Sequence, residues 1–349
     1  MTGGRRIWSD GPMWAEHSPA RRARAAGDRG SGGPVEGLPP LAVCFTVDAS
    51  NAFGRDFLLG LGWEVILVRH RPRTWPRHPP PGLAEALRPR LAGRGAVTYG
   101  SSQGATAALL YARALGAARV VAISPRASRT VTGGPAGTGR WAEAAPEVDW
   151  RYAATPEEVA APLRVALLYD DANPLDAPIA DQIAEAMGDP ARLTRVRVPL
   201  AGHPAGRFLK ETGQLAPVAR ALLEQAPVPP VRTGWSVGRR SSAWLTAVAQ
   251  VALGRGRLDL SERLLRRSIA LGPDAPLPYV RMVQVLLAKG ETGAAVEMAR
   301  RVRRDWPRHQ GGADLLERAL AADARARGRS WAGRLLRGLR GGGAAKGPS

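Results

Sequence analysis

Short apolar runs alternate with longer amphipathic stretches between positions 41 and 225. Each apolar run has the length and composition of a buried strand, and most are separated by hydrophobic residues at helical spacing. Strands that alternate with helices predict an α/β fold, in which a mostly parallel sheet is flanked by helices on both faces. The predicted strands are 41–47, 64–69, 96–99, 119–124, 165–169 and 193–200, and the predicted helices are 51–62, 82–91, 104–115, 176–187 and 207–225.

Three segments before residue 242 show no sustained period of hydrophobic positions. Residues 1–40 are rich in Gly, Arg, Ala and Pro, which predicts a disordered N-terminal arm. Residues 126–162 form a long irregular stretch after a strand, which is typical of a lid or binding loop. Its aromatic residues either line a pocket or fix the loop to the body. Residues 226–241 contain Pro, Gly and Arg and are interpreted as a linker.

The pattern after the linker repeats with a period of 34 residues. Gly256 recurs as Gly290 and Pro273 as Pro307, together with Gln250, Val251, Leu253, Arg266 and Arg267 as Gln284, Val285, Leu287, Arg300 and Arg301. This period, with glycine between two helices and proline after the second, resembles the tetratricopeptide repeat. The resemblance implies an all-α helical-repeat domain over 242–325. Residues 326–349 are interpreted as a basic disordered tail, with a short basic helix over 330–340 as the alternative.

Net charge and cysteine content narrow the class of protein. The formal charge is +20, but 41–230 carries 21 basic and 17 acidic residues whereas 231–349 carries 23 and 9. Nearly all basic residues are arginine in an Ala-, Gly- and Pro-rich chain, which indicates a compositional bias rather than specific nucleic-acid binding. Cys44 is the only cysteine, which fits packing in a buried strand and a reducing cytoplasm. No apolar run is long enough for a transmembrane segment.

The motif Gly100-Ser101-Ser102-Gln103-Gly104 joins the strand at 96–99 to the following apolar helix. A serine on such a tight turn adopts a strained backbone conformation that exposes its hydroxyl at the edge of the sheet. Positions two before and two after it approach neighbouring backbone, so they accept only small residues. The turn also directs the amide of Gln103 towards any oxyanion that forms beside Ser102.

A serine hydroxyl becomes a nucleophile only when a base accepts its proton and a third group orients that base. Of the five histidines, His203 alone follows the last predicted strand of this domain. The loop 170–176 offers three aspartates after the preceding strand. We favour Asp176 as the acid because the loop can return it towards His203. Asp170 and Asp171 remain alternatives, since Asp176 is also placed to cap the next helix.

These residues resemble the nucleophile elbow and catalytic histidine of the α/β-hydrolase superfamily over about 41–225. The resemblance implies a serine hydrolase, an esterase, thioesterase or acyltransferase, that acts on a small acyl ester or thioester through Ser102, His203 and Asp176. It also implies an oxyanion hole formed by the Gln103 amide and a backbone donor within 47–50. The family's usual position for the acid falls on Asn173, which departs from the pattern.

Metal ligands and nucleotide-binding loops are not evident in the sequence, so neither a metal nor another cofactor is expected. A catalytically inactive binding or scaffold protein on the same fold is the alternative function. The repeats carry the basic surplus, including Arg300, Arg301, Arg303 and Arg304. We therefore expect an acidic protein partner or polyanionic surface there, with a solvated arginine face as the alternative.

Overall fold

An eight-stranded sheet organises the first half of the chain. The computed structural model describes residues 4–11, 13–20, 38–46, 52–70, 82–126, 163–307, 309 and 311–341. The strands are β1 (Arg5–Asp10), β2 (Met13–Ser18), β3 (Leu41–Thr46), β4 (Glu64–His70), β5 (Val97–Ser101), β6 (Arg119–Ile123), β7 (Arg164–Tyr169) and β8 (Leu193–Arg197).

The strand order is β1-β2-β4-β3-β5-β6-β7-β8, and only the β1/β2 and β2/β4 pairs are antiparallel. Neighbours from β4 to β8 run parallel, so their carboxyl ends meet at one edge of the sheet. Every residue of β3 is buried, as expected for a strand covered on both faces. The predicted fold class, a mostly parallel sheet with flanking helices, is confirmed.

Helices connect the parallel strands and cover the sheet. They are α1 (Arg55–Gly60), α2 (Leu83–Leu91), α3 (Gln103–Ala112), α4 (Asp176–Met187), α5 (Ala205–Glu211) and α6 (Leu215–Glu224), with a short 3₁₀ helix at Pro190–Arg192. Helices α2, α3 and α4 bury their apolar sides in one core with alternate residues of β3, among them Val43 and Phe45. The predicted helix over 207–225 is divided in two, since Gly213 adopts a positive φ of 72° between α5 and α6.

The N-terminal segment corrects one expectation. Within 1–40, which was expected to be disordered, β1 and β2 form a hairpin that joins the sheet through β2 and β4. Glu64 on β4 fixes this side of the sheet. Its carboxylate accepts from Arg94 Nη1 at 2.7 Å and lies 2.6 Å from His17 Nε2 of β2. Gly11, which follows the last paired residue of β1, adopts a positive φ of 51°, and glycine is favoured at such turn positions of hairpins.

The segment 226–241 is attached to α5 and the residues that follow it rather than hanging free. Gln214 accepts from the Arg232 amide at 2.7 Å and donates to the Arg232 carbonyl at 3.0 Å. The Glu211 carboxylate accepts from Ser241 Oγ at 2.6 Å and from the Ala243 amide at 3.0 Å. A short helix α7 (Trp235–Gly238) lies between these two anchors. The interpretation of 226–241 as a linker therefore misses these side-chain bonds.

The chain divides into two compact units, Met1–Ala243 and Trp244–Ser349, and the second is helical as predicted. Its helices are α8 (Ser242–Gly254, which begins just before the boundary), α9 (Leu258–Leu271), α10 (Pro276–Lys289), α11 (Thr292–Asp305) and α12 (Gly312–Gly341). Since α12 continues to Gly341, the expected disordered tail from 326 is wrong up to that residue. None of the described helices is long and apolar enough to cross a membrane.

The 34-residue period corresponds to the helix pairs. Ser242 and Pro276 begin the first helices of the two pairs, 34 residues apart, and Leu258 and Thr292 begin the second helices at the same offset. Gly256 and Gly290 both have left-handed φ angles, 69° and 78°, between the helices of each pair. Glycine recurs at this position because the turn needs a positive φ.

Candidate active site

Ser102 lies between β5 and α3 with φ 55° and ψ −124°, a conformation that is strained for any residue with a side chain. The two glycines of the motif explain how the turn closes. A Cβ atom on Gly100 would lie 2.1 Å from the Gly104 carbonyl oxygen, and one on Gly104 would lie 2.3 Å from the Phe45 carbonyl oxygen. The Ser102 amide also donates to the Ile123 carbonyl at 2.8 Å. The serine is thereby fixed at the carboxyl edge of the sheet.

Gln103 is the first residue of α3, so its backbone N–H has no acceptor within the helix. This amide follows Ser102 directly and lies at the positive end of the helix dipole, which favours a negative charge there. The second predicted oxyanion donor, within 47–50, lies outside the described residues. Gln103 is therefore the one predicted donor that the structure locates.

His203 lies on the loop after β8, and Asp170 determines the course of this loop. The Asp170 carboxylate accepts from the amides of Leu200 and Gly202, each at 2.8 Å, and from the Ala172 amide at 2.9 Å. These bonds hold Leu200 and Gly202 at positive φ angles of 61° and 76°. Burial raises the pKa of Asp170, and the three amides act against that rise. Asp170 thus contacts the backbone that precedes His203 and not its ring.

The structure brings Ser102, His203 and Asp176 together in a row. Ser102 Oγ lies 2.9 Å from His203 Nε2, and His203 Nδ1 lies 2.9 Å from Asp176 Oδ1 and 3.3 Å from Oδ2. The Asp176 side chain is fully buried and that of His203 is 13% exposed. Of the three aspartates considered, Asp176 alone faces the ring, while Asp171 is exposed on the turn. Asn173 closes that turn by accepting from the Leu175 amide at 2.9 Å.

Arg126 is a site residue that the sequence reasoning missed. It follows β6 after Ser124 and Pro125, and its Nε donates to His203 Nε2 at 2.9 Å. Burial and the Arg126 charge lower the pKa of His203, and Asp176 acts in the opposite direction. The signal in the sequence is its position, since Arg126 follows the carboxyl end of β6, at the edge of the sheet where the other site residues lie.

Metal-dependent and cysteine-based chemistry have little support in the part of the chain that the structure describes. No group of three histidine, cysteine or acidic side chains there is arranged to hold a metal ion. Cys44 is a free, fully buried thiol on β3, and burial raises its pKa far above the ordinary value. A thiol in that environment remains protonated and does not act as a nucleophile.

Comparisons with known proteins give structural likeness only. The chain matches no family model and no curated protein. Similar solved structures include a propionate-bound esterase from Thermogutta terrifontis, with 14% sequence identity and a TM-score of 0.37. The match covers 63% of this chain and 92% of that esterase. An α/β serine hydrolase without a lid from Xanthomonas campestris has 18% identity, the same two coverages and a TM-score of 0.35.

The capsule O-acetyltransferase of Neisseria meningitidis serogroup A is also similar, with 10% sequence identity and a TM-score of 0.36. The match covers 55% of this chain and 85% of that protein. TM-scores this low carry no argument about activity or about individual residues.

Asp170→Asn tests how the histidine loop is held. An asparagine has only one acceptor oxygen, so its NH₂ group would face at least one of the three amide donors. We expect the free energy of unfolding in urea to fall by about 1–3 kcal/mol. Asp171→Asn is the matched control, since that side chain is exposed and its change should stay within about 0.5 kcal/mol. Equal stability of the two variants would contradict the assigned role.

Proposed function

We propose that this protein is a serine hydrolase of ester-like bonds, an esterase, thioesterase or acyltransferase. The observation that carries the proposal is the continuous row from Ser102 Oγ through His203 to the buried Asp176, with both joining distances at 2.9 Å. Nucleophile, base and orienting acid need this arrangement, and the order serine, acid, histidine along the chain is that of α/β-hydrolases.

Each residue has a defined part in the proposed reaction. Ser102 Oγ attacks the acyl carbon while His203 Nε2 accepts its proton, and Asp176 stabilises the resulting imidazolium through Nδ1. The Gln103 amide stabilises the oxyanion of the tetrahedral intermediate. The bond from the acyl carbon to the leaving oxygen of an ester, or to the leaving sulfur of a thioester, then breaks. His203 gives its proton to that atom, and an acyl-Ser102 ester remains. Water in a hydrolase, or an acceptor hydroxyl in a transferase, then attacks the acyl-Ser102 ester. His203 Nε2 accepts the proton of the attacking group and returns it to Ser102 Oγ.

Covalent labelling distinguishes an enzyme from an inactive scaffold on this fold. A fluorophosphonate probe should label Ser102, identified by peptide mass spectrometry, because the probe needs an activated hydroxyl. Ser102→Ala should abolish labelling, whereas Ser101→Ala, one residue earlier on β5, should retain it. His203→Ala should slow labelling by about 10²–10⁴-fold, the usual contribution of a general base. Labelling that persists in Ser102→Ala would favour the scaffold function.

The pH dependence of kcat/KM reports the pKa of the free-enzyme base. His203 must be neutral to accept the serine proton, so activity on p-nitrophenyl butyrate should fall as the pH drops through its pKa. Burial and Arg126 lower that pKa from 6.5. We therefore expect the acid limb of the profile below pH 6.5. A limb at or above that value would show that His203 does not experience this environment during catalysis.

We further propose that the helical repeats, which resemble tetratricopeptide repeats, bind an acidic protein partner. Several of the arginines expected to contact a partner are occupied by ion pairs within their own helix. Arg300, Arg301 and Arg304 form ion pairs with Glu297 or Asp305 on their own helix. Arg301 also stacks over the Tyr279 ring at 4.6 Å. Exposed arginines such as Arg303 and Arg325 are better placed to contact a partner.

Charge reversal at these positions tests the partner proposal with a fluorescent poly-glutamate peptide as probe. Arg303→Glu combined with Arg325→Glu should weaken binding about tenfold in fluorescence anisotropy, and added salt should reduce the difference. The control reverses the exposed Arg88 and Arg113 of the other unit, which changes net charge equally. Equal weakening by both double variants would mean that only net charge matters, and that the repeats have no particular role.

A further inference from the structure

Arg126 is held firmly beside the candidate nucleophile. Its backbone N–H donates to Thr106 Oγ1 at 3.0 Å, and its carbonyl accepts from the same hydroxyl. Thr106 is fully buried on α3, four residues after Ser102, so the arginine backbone is attached to the helix that begins at the nucleophile. The buried Pro125 precedes it. The backbone from which the Arg126 side chain extends is therefore fixed relative to Ser102.

The guanidinium has no carboxylate partner among the described residues. It is half-buried, and its one hydrogen bond there is the contact of Nε with His203 Nε2. A cation removed from water without an opposite charge is costly, and arginine remains protonated in proteins. Burial accordingly lowers the pKa of Arg126, with a compensating effect of the Asp176 charge. An anion that enters the site would supply an opposite charge through a charge-assisted hydrogen bond.

The contact with Nε2 also indicates which part of a substrate Arg126 would meet. In the proposed reaction Nε2 is the atom that returns the proton to the leaving-group oxygen, so that oxygen must approach Nε2. Arg126 Nε and Ser102 Oγ each lie 2.9 Å from this same nitrogen. Arg126 therefore borders the space of the leaving group, close to the scissile bond.

We propose that Arg126 binds a carboxylate or phosphate on the alcohol portion of the substrate, so that the preferred substrates are esters with an anionic leaving group. This inference rests on the proposed function. A substrate anion that draws the guanidinium away from His203 also leaves Nε2 free to accept the Ser102 proton. The arginine thus links recognition of the leaving group to the basicity of the histidine, and a neutral ester obtains neither effect.

The test compares O-acetylglycolate with its neutral analogue acetoxyacetamide, which share the acyl group and differ in the charge of the leaving group. We expect the wild type to favour the anionic ester and Arg126→Gln to lower the anionic-to-neutral ratio of kcat/KM by about 10- to 100-fold. Intrinsic reactivity cancels because both variants use the same pair. A second pair, 2-acetoxyethyl phosphate and 2-methoxyethyl acetate, distinguishes phosphate from carboxylate.

Control variants separate charge recognition from general damage. Arg113→Gln removes an exposed arginine just after α3, far from Ser102, and should leave the ratio at the wild-type value. Arg126→Lys keeps the charge and should retain part of the preference. The acid limb of the neutral-ester profile should move to higher pH in Arg126→Gln, because the arginine no longer lowers the pKa of His203. Circular dichroism checks that each variant folds.

An equal loss on both esters in Arg126→Gln would overturn the proposal. A dependence on Arg126 only for monomethyl succinate, whose charge lies on the acyl side, would overturn it as well. Binding of glycolate, the leaving group itself, tests this proposal independently of the proposed hydrolase activity. Its binding to the Ser102→Ala variant, followed by saturation-transfer NMR, needs no turnover and should be lost when Arg126→Gln is added. Retained glycolate binding in the double variant would also overturn it.

Discussion

The close approach of α3 to β3 is the constraint on which the site depends. Gly104 lies so near the Phe45 carbonyl that no side chain fits between them, and Gly100 lies equally close to the first turn of the same helix. This packing allows the strand-to-helix turn to close and holds Ser102 in a conformation that it would not adopt alone. The strain at the serine is therefore balanced by the surrounding buried core, which is the usual condition for strained residues at functional sites.

The histidine side of the site is built by a different means. Here a buried carboxylate defines the course of the loop by accepting from three backbone amides. Two aspartates that follow β7 thus have different roles. Asp170 holds the loop that carries His203, and Asp176, at the start of α4, contacts the His203 ring. A histidine with a single orienting contact can rotate, whereas one whose backbone and ring are both fixed remains aligned with the serine.

Sequence reasoning predicted the parts of this arrangement that depend on local spacing. The glycines around Ser102, the alternation of strands and helices, and the 34-residue period of the helix pairs are all local patterns. The hairpin of β1 and β2 was missed because its two short strands mix apolar and polar residues without a sustained period, within a segment rich in Gly, Arg and Pro. Arg126 was missed because its role depends on the direction that its side chain takes from the end of β6. The three aspartates could be ranked but not separated, since the loop geometry determines which of them faces the ring.

The two edge strands of the sheet bear on how the protein behaves at high concentration. Arg5 and Arg6 are exposed on β1 at one edge, and Arg197 is exposed on β8 at the other. An open edge presents unpaired backbone groups that can recruit a strand from a second molecule. Two such molecules that approach edge to edge bring arginine towards arginine. Repulsion between these arginines opposes such edge-to-edge pairing.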